Sequence, residues 1–148
     1  MSDEIIIRVA KLSDIPQIYD IEVRSFKSPY PISLLTSLLI IAQDLFLVAE
    51  LKSKIVGYVI ALLRGKRMGH IVSIAVHPEY RGRGLGKILL REILKKLRSK
   101  GAIFVRLEVR VSNKVAISLY EKMGFWKVYE IPRYYQDGES CYVMVKIL

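Results

Sequence analysis

One stretch of the 148-residue chain leaves little choice of local structure: Met68 to Leu97, reading MGHIVSIAVHPEYRGRGLGKILLREILKKL. An apolar run (Ile71, Val72, Ile74, Ala75, Val76) meets a proline turn at His77-Pro78, then the basic turn Arg81-Gly82-Arg83-Gly84-Leu85-Gly86. In the run that follows, Leu85, Ile88, Leu89, Ile93, Leu94 and Leu97 share one face at helical spacing, and Lys87, Arg91, Lys95 and Arg98 fall elsewhere. The pattern predicts strand, Gly-rich turn, helix. Gly82, Gly84 and Gly86 carry no Cβ, so their N–H groups can close on an anion where the helix dipole adds positive charge.

The spacing excludes two familiar phosphate loops. A Walker loop needs Gly, four residues, then Gly-Lys-Ser/Thr, but Arg81 stands five before Gly86, and Ile88 follows Lys87. A dinucleotide fingerprint counted from Gly82 would need its third glycine where Lys87 stands. Read alone, the turn fits either another phosphate-bearing ligand or a basic segment touching RNA.

A chain of this length suits one domain spanning residues 1–148, able to bury about 68–70% of its unfolded surface. With 52% hydrophobic and 26% charged residues the composition is that of a folded globule. The net charge of +10 draws anions, without choosing between a phosphorylated small molecule and RNA. A lone Cys141 excludes an internal disulfide and fits a reducing, cytoplasmic setting; its place in an alternating strand predicts packing. Asp3 and Glu4 stand where a secretory leader would be basic. The apolar region Ile32 to Ala49 is interrupted by Ser33, Thr36, Ser37, Gln43 and Asp44, which argues for a buried helix followed by a strand and against a membrane span.

In chain order the patterns predict a strand at Glu4–Ala10, a helix capped at Ser13-Asp14, and a stiff loop at Ser28-Pro29-Tyr30-Pro31. A helix at Ile32–Ala42 and strands at Leu45–Glu50, Ile55–Leu63 and the opening stretch follow. The last third gives a strand at Ile103–Val109, a helix at Asn113–Met123 and strands at Phe125–Ile131 and Cys141–Ile147. The order is βααβββαβαββ, an α/β chain with a mixed sheet.

Two motifs carry a resemblance. Arg81-x-x-Gly84-x-Gly86 after a strand resembles the acetyl-CoA signature of the GNAT superfamily of N-acetyltransferases. Leu107-Glu108-Val109-Arg110-Val111-Ser112-Asn113, with Ala116, Leu119-Tyr120-Glu121 and Gly124-Phe125, resembles the pattern of its amino-terminal acetyltransferases, the RimI and NatA catalytic-subunit branch. Together they reach over nearly the whole chain. The resemblance implies the GNAT fold, a mixed and mostly antiparallel sheet flanked by helices, and acetyl-CoA as the acetyl donor.

It also implies roles. The cofactor would lie on the turn (Arg81, Gly82, Arg83, Gly84, Leu85, Gly86, Lys87) and along the backbone of Ile74, Ala75 and Val76, with Asn113 and Tyr120 at its reactive arm. Asn113 is independently suited to cap its helix. Acetyl transfer to an amine requires loss of a proton from the amine, polarisation of the carbonyl and protonation of the departing thiolate. Glu108 matches the base, though a carboxylate between Arg106 and Arg110 could equally be an ion-paired surface group. Tyr120 matches the acid; it also suits packing beside Ala116 and Phe125. His70, in Gly69-His70-Ile71-Val72-Ser73-Ile74-Ala75-Val76, resembles the NatA-type and archaeal strand, where it would sit near Glu108 and share proton abstraction or hold a water. Two ligands are too few for a functional metal. His77, before a proline in a turn, reads as a surface residue.

For the acceptor, Glu22, Phe26, Pro29 and Tyr30 resemble the helix and loop of RimI, and Tyr134-Tyr135 with Asp137-Gly138-Glu139 resembles a hairpin of archaeal NatA-like enzymes. NatA-like chains usually carry a Glu in the loop after the first helix, and Lys27 to Pro31 has no acid; Ser140-Cys141 replaces an acidic-Ala pair. These departures leave open which first residues are preferred and whether the family's acceptor range carries over. The expectation is acetyl transfer to the α-amino group of protein N-termini, ribosomal or nascent, in a direct ternary complex, with room for an auxiliary subunit and with no membrane or specific nucleic-acid partner. Its rivals are a lysine or small-amine acetyltransferase of the same fold and a basic RNA- or ribosome-docking module without turnover.

Overall fold

The computed structural model describes residues 4–148, so Asp3, which enters the argument about a leader, lies outside the described residues. The elements are β1 (Ile5–Val9), α1 (Ile15–Ser25), α2 (Ile32–Ala42), β2 (Phe46–Leu51), β3 (Lys54–Arg64), β4 (Met68–Val76), α3 (Leu85–Ser99), β5 (Phe104–Arg110), α4 (Lys114–Lys122), β6 (Trp126–Ile131) and β7 (Cys141–Ile147). They follow the predicted order. The sheet runs β1-β2-β3-β4-β5-β7-β6 and is antiparallel except where β5 joins β4. α3 covers one face of β2 to β4, and α1 and α2 cover the other.

The amphipathic face of α3 is buried as its spacing requires, through Leu85, Leu89, Leu90, Ile93, Leu94 and Leu97. It approaches the sheet where β3 and β4 carry glycine: a Cβ on Gly57 would meet Leu89 at 3.0 Å, and one on Gly69 would meet Leu97 at 2.8 Å. A larger residue at either position would crowd these leucine tips, and at Gly57 also the Ala75 carbonyl at 3.2 Å.

Two irregularities of β4 decide where a site can form. Ile60 pairs with Ser73 but Ala61 pairs with Ile71, leaving Val72 as an extra residue. The bulge resets the alternation, so Ser73 and His70 both face the α1 side, although three residues apart. β4 and β5 then pair only from Met68–Phe104 to His70–Arg106. Beyond that point the strands part, and Ile74 to Val76 keep β3 on one side without β5 on the other.

α1 is fastened over this region by Glu22, only 2% exposed. One carboxylate oxygen accepts from Tyr58 Oη and Ser73 Oγ, and the other accepts the backbone N–H of Tyr30 at 3.0 Å. A single buried side chain thus ties α1, the loop into α2, β3 and the β4 bulge.

Three expectations are corrected here. Asp14 does not cap α1 with its side chain; its carboxylate accepts from the Lys11 N–H at 2.8 Å and from Arg8, which also bridges to Glu50. α2 is not buried all round, because Ile32, Leu34, Ile40 and Ile41 are exposed while Leu35, Leu38 and Ala42 pack inward. His77 is not a surface residue: it is 5% exposed, its Nδ1 accepts from the Glu79 N–H at 3.1 Å, and its ring packs edge-on to Tyr80. The expectation that Cys141 is packed holds, as it is fully buried. No helix among the described residues is long and apolar enough to cross a membrane.

Burial raises the pKa of Glu22, and the hydrogen bonds from Tyr58, Tyr30 and Ser73 offset this only in part. A group raised on folding contributes stability below its unfolded pKa and loses that contribution as pH climbs through its folded value. Glu22→Gln keeps the shape and one acceptor oxygen but removes the charge. Thermal melts of variant and parent should therefore differ increasingly in favour of the variant between pH 4 and pH 8; a difference independent of pH would contradict the burial argument.

Candidate active site

The parted strands open a cleft on the α1 side of the sheet. Val72, Ser73 and Ile74 of β4 form one wall and Leu107 to Arg110 of β5 the other. Asn113, Ala116 and Tyr120 close one end, and Glu22, Phe26 and Tyr30 lie with Tyr134 and Tyr135 around the mouth. Glu22, Phe26, Tyr30, Glu108, Asn113, Tyr120, Tyr134 and Tyr135 therefore converge on one space as expected. Pro29 is outside the lining, in the loop between α1 and α2.

Glu108 is held from both sides. Oε1 faces His70 Nε2 at 2.8 Å and Oε2 accepts from Arg106 Nε at 2.7 Å. Burial pushes its pKa up, but the hydrogen bonds of His70 and Arg106 and the guanidinium charge outweigh that, and the carboxyl ends below its ordinary range. It is an anion at neutral pH. The expected alternative of pairing with an arginine is realised through Arg106 alone, since Arg110 turns to Asp137 and Glu139.

Tyr120 is buried against Phe125, with ring centroids 5.9 Å apart, and burial raises its phenol well above the usual value. It stays protonated and so keeps a proton to donate. Asn113 caps α4 by accepting the Ala116 N–H at 3.2 Å, as its residue type predicts.

The hairpin between β6 and β7 reaches the site because β5 holds it. Arg110 Nη1 donates to Asp137 and, at 2.8 Å, to Glu139, whose other oxygen accepts the Ser112 N–H. The same guanidinium lies 4.0 Å from the centre of the Tyr135 ring, and Tyr134 packs edge-on to Tyr135. Burial raises the pKa of both tyrosines, so both remain neutral hydroxyls. The acids of the Asp-Gly-Glu segment are thus braces for the loop.

At the head of α3, Gly82 and Gly84 adopt φ of 79° and 80°, and a Cβ at either would point into open space. Gly84 is the helix N-cap, leaving the first N–H groups of α3 facing outward beside Arg83 and Lys87, both exposed. The turn fits an elongated phosphate-bearing group whose arm continues along the free edge of Ile74 to Val76. Two residues of the turn also have partners within the protein. Arg81 spends its guanidinium within the protein, on the Val76 carbonyl at 3.0 Å and Ser25 Oγ at 3.1 Å. Gly86 lies inside the helix, where a Cβ would meet Leu119 of α4 at 3.3 Å, so its smallness serves helix packing.

Sequence reasoning missed Tyr58, Ser73 and Arg64. Tyr58 and Ser73 sit in apolar strands and gave no signal beyond a lone polar tip, and Arg64 looked like an ordinary strand-end charge. Arg64 in fact donates to His70 Nδ1 from Nε at 3.1 Å and faces it again from Nη2 at 3.0 Å. Among the described residues no group of three or more His, Cys, Asp or Glu side chains could hold a metal.

Comparison with known proteins agrees with this geometry. The family model described as the acetyltransferase (GNAT) family matches residues 15–125. The chain is 37% identical to an uncharacterized N-acetyltransferase of Methanocaldococcus jannaschii over 95% of its own length and 90% of that protein's. It is 40% identical to an N-alpha-acetyltransferase of Sulfolobus acidocaldarius over 93% of this chain and 89% of that one. The structure of Ard1 from Thermoplasma volcanium superposes with a TM-score of 0.95 at 30% identity, covering 97% of both chains. This chain is a member of the GNAT family of acetyltransferases.

Proposed function

We propose that the protein transfers an acetyl group from acetyl-CoA to the α-amino group of protein or peptide N-termini. The observation that carries the reading is the single cleft in which the free edge of β4, the Glu108 carboxylate, the Tyr120 hydroxyl and the paired tyrosines of the hairpin meet. The names of the relatives, an N-alpha-acetyltransferase and an Ard1, support it. Acetyl-CoA supplies the activated acetyl thioester. Gly82, Gly84 and the start of α3 would hold its phosphates with Arg83 and Lys87, and backbone groups of Ile74 to Val76 would hold its arm, with Asn113 and Tyr120 at the reactive end.

Glu108 would take the proton that the neutral amine sheds as it attacks the thioester carbonyl, directly or through water. Held ionised by two donors, it is a modest base, and a modest base suffices for an α-amine whose pKa is about 7.7–8.0. His70 supports Glu108 by hydrogen bonding and is not free to share the abstraction while its Nδ1 receives Arg64. Tyr120 donates a hydrogen bond to the leaving sulfur. Full transfer from a phenol raised above about 10 to a thiolate of about 8.5 is uphill by roughly 2 kcal/mol or more, so donation without complete transfer is the physical role. Tyr30, Tyr134 and Tyr135 flank an extended peptide backbone with neutral hydroxyls, and Phe26 lines the place of its first side chain. A free, extended amino terminus fits between two such walls better than a lysine in mid-chain, whose ammonium of pKa about 10.4 also demands a stronger base. Ribosomal or nascent chains would be the acceptors, in the cytoplasm.

Mass spectrometry of paired peptides, one with a free and one with a blocked N-terminus and both with an internal lysine, tests the acceptor. Acetylation of the free terminus alone is expected; label on the lysine of both peptides would overturn the reading. Glu108→Gln should lower kcat about a hundredfold or more, and Tyr120→Phe about tenfold, with the KM for acetyl-CoA little changed in each. Undiminished turnover would remove that residue from the chemistry. Because Glu108 already ionises below the ordinary carboxylate range, kcat/KM for the peptide between pH 5 and 9 should rise with deprotonation of the acceptor amine, levelling near pH 8. A steep loss of activity centred near pH 6 in place of that limb would contradict an ionised Glu108.

A further inference from the structure

His70 has two ring nitrogens and one cleft carboxylate to serve, and its tautomer decides how it serves it. Nε2 faces Glu108 Oε1 at 2.8 Å. Nδ1 faces Arg64, with Nε at 3.1 Å and Nη2 at 3.0 Å. A guanidinium has donors only and does not give up its proton in a protein, so the nitrogen it faces must accept. The single proton of the neutral ring is then left for Nε2, where an ionised carboxylate is waiting. We propose that Arg64 is a positioning residue that fixes His70 in its Nε2–H tautomer and thereby aims the imidazole at Glu108 as a donor. This rests on the assignment of Glu108 to the acceptor amine.

The placement follows from the strands. Arg64 pairs with Met68 and Leu62 with His70, so Arg64 lies diagonally across from His70 on the α1 face of β3 and β4. The bulge at Val72 keeps His70 on the same face as Ser73, and the short parallel pairing sets His70 beside Arg106, two residues before Glu108 on its strand. The result is a chain Arg64–His70–Glu108–Arg106 in which each contact has one donor and one acceptor. Without Arg64 the ring is free to place its proton on Nδ1. Glu108 Oε1 would then face a lone pair and lose one of the two donors that hold it.

The chain makes the test simple, because it contains two histidines. His77 Nδ1 accepts from the Glu79 N–H, so His77 is an internal example of the same tautomer. Long-range proton–nitrogen correlation spectra of the 15N-labelled full chain report which ring nitrogen is protonated, and they need no acetylation activity. The expected result is a pyridine-like Nδ1 for both rings in the parent, retained in Arg64→Lys and lost or averaged for His70 alone in Arg64→Met. In peptide acetylation Arg64→Met should lower kcat roughly tenfold to a hundredfold, the scale for losing an outer hydrogen-bond partner of a functional imidazole, with the KM for acetyl-CoA unchanged. Arg64→Lys should recover part of that loss. A proton on Nδ1 of His70 in the parent, or a His70 pattern in Arg64→Met identical to the parent's, would overturn the proposal whatever the acceptor proves to be. A changed tautomer with unchanged kcat would overturn its relevance to turnover while leaving the acceptor assignment intact.

Discussion

The site exists because two neighbouring strands stop pairing. A bulge in β4 and the loss of its register with β5 after His70–Arg106 leave a stretch of backbone with one hydrogen-bonding edge free in the middle of a sheet. A free edge is usually a liability that proteins cover. Here it is flanked by the Gly-rich turn before α3 and by α4, so a long ligand bearing phosphates at one end can complete the sheet with its own amide groups. The other features of the cleft are arranged about that gap: α1 reaches over it through Glu22, and the β6–β7 hairpin closes on it through Arg110.

The two carboxylates of the cleft show how environment separates like groups. Glu108 meets a guanidinium and an imidazole and is held ionised, whereas Glu22 meets only neutral donors in a dry place and is pushed the other way. One is an anion able to receive a proton at neutral pH, and the other holds the loop between α1 and α2 in place. Tyr120 is a third case, a phenol so buried that it remains a donor throughout the working range.

Most of this architecture was legible in the sequence. Helical spacing from Leu85 to Leu97 located α3, the glycines at 82 and 84 marked the turn before it, and the Glu108 and Tyr120 motifs placed both groups in one space. What could not be read were relations that depend on register. Period-two alternation puts His70 and Ser73 on opposite faces, and one extra residue at Val72 puts them on the same face. Arg81 and Arg83 look equivalent in the turn, yet Arg81 is committed to Val76 and Ser25 while Arg83 lies over Tyr80. Gly86 completes a phosphate motif on paper, and in the fold it makes room for Leu119. The burial of His77 likewise depends on the path of the following turn, which its neighbours in sequence do not reveal.

The most direct measurement is a crystal structure of the protein with coenzyme A and an acceptor peptide. The account predicts the pyrophosphate on the turn at Gly82 to Gly86, the arm hydrogen-bonded along Ile74 to Val76, the sulfur within reach of the Tyr120 hydroxyl and the peptide's amino nitrogen on the Glu108 side. A coenzyme lying outside the gap between β4 and β5, or a sulfur remote from both side chains, would contradict it.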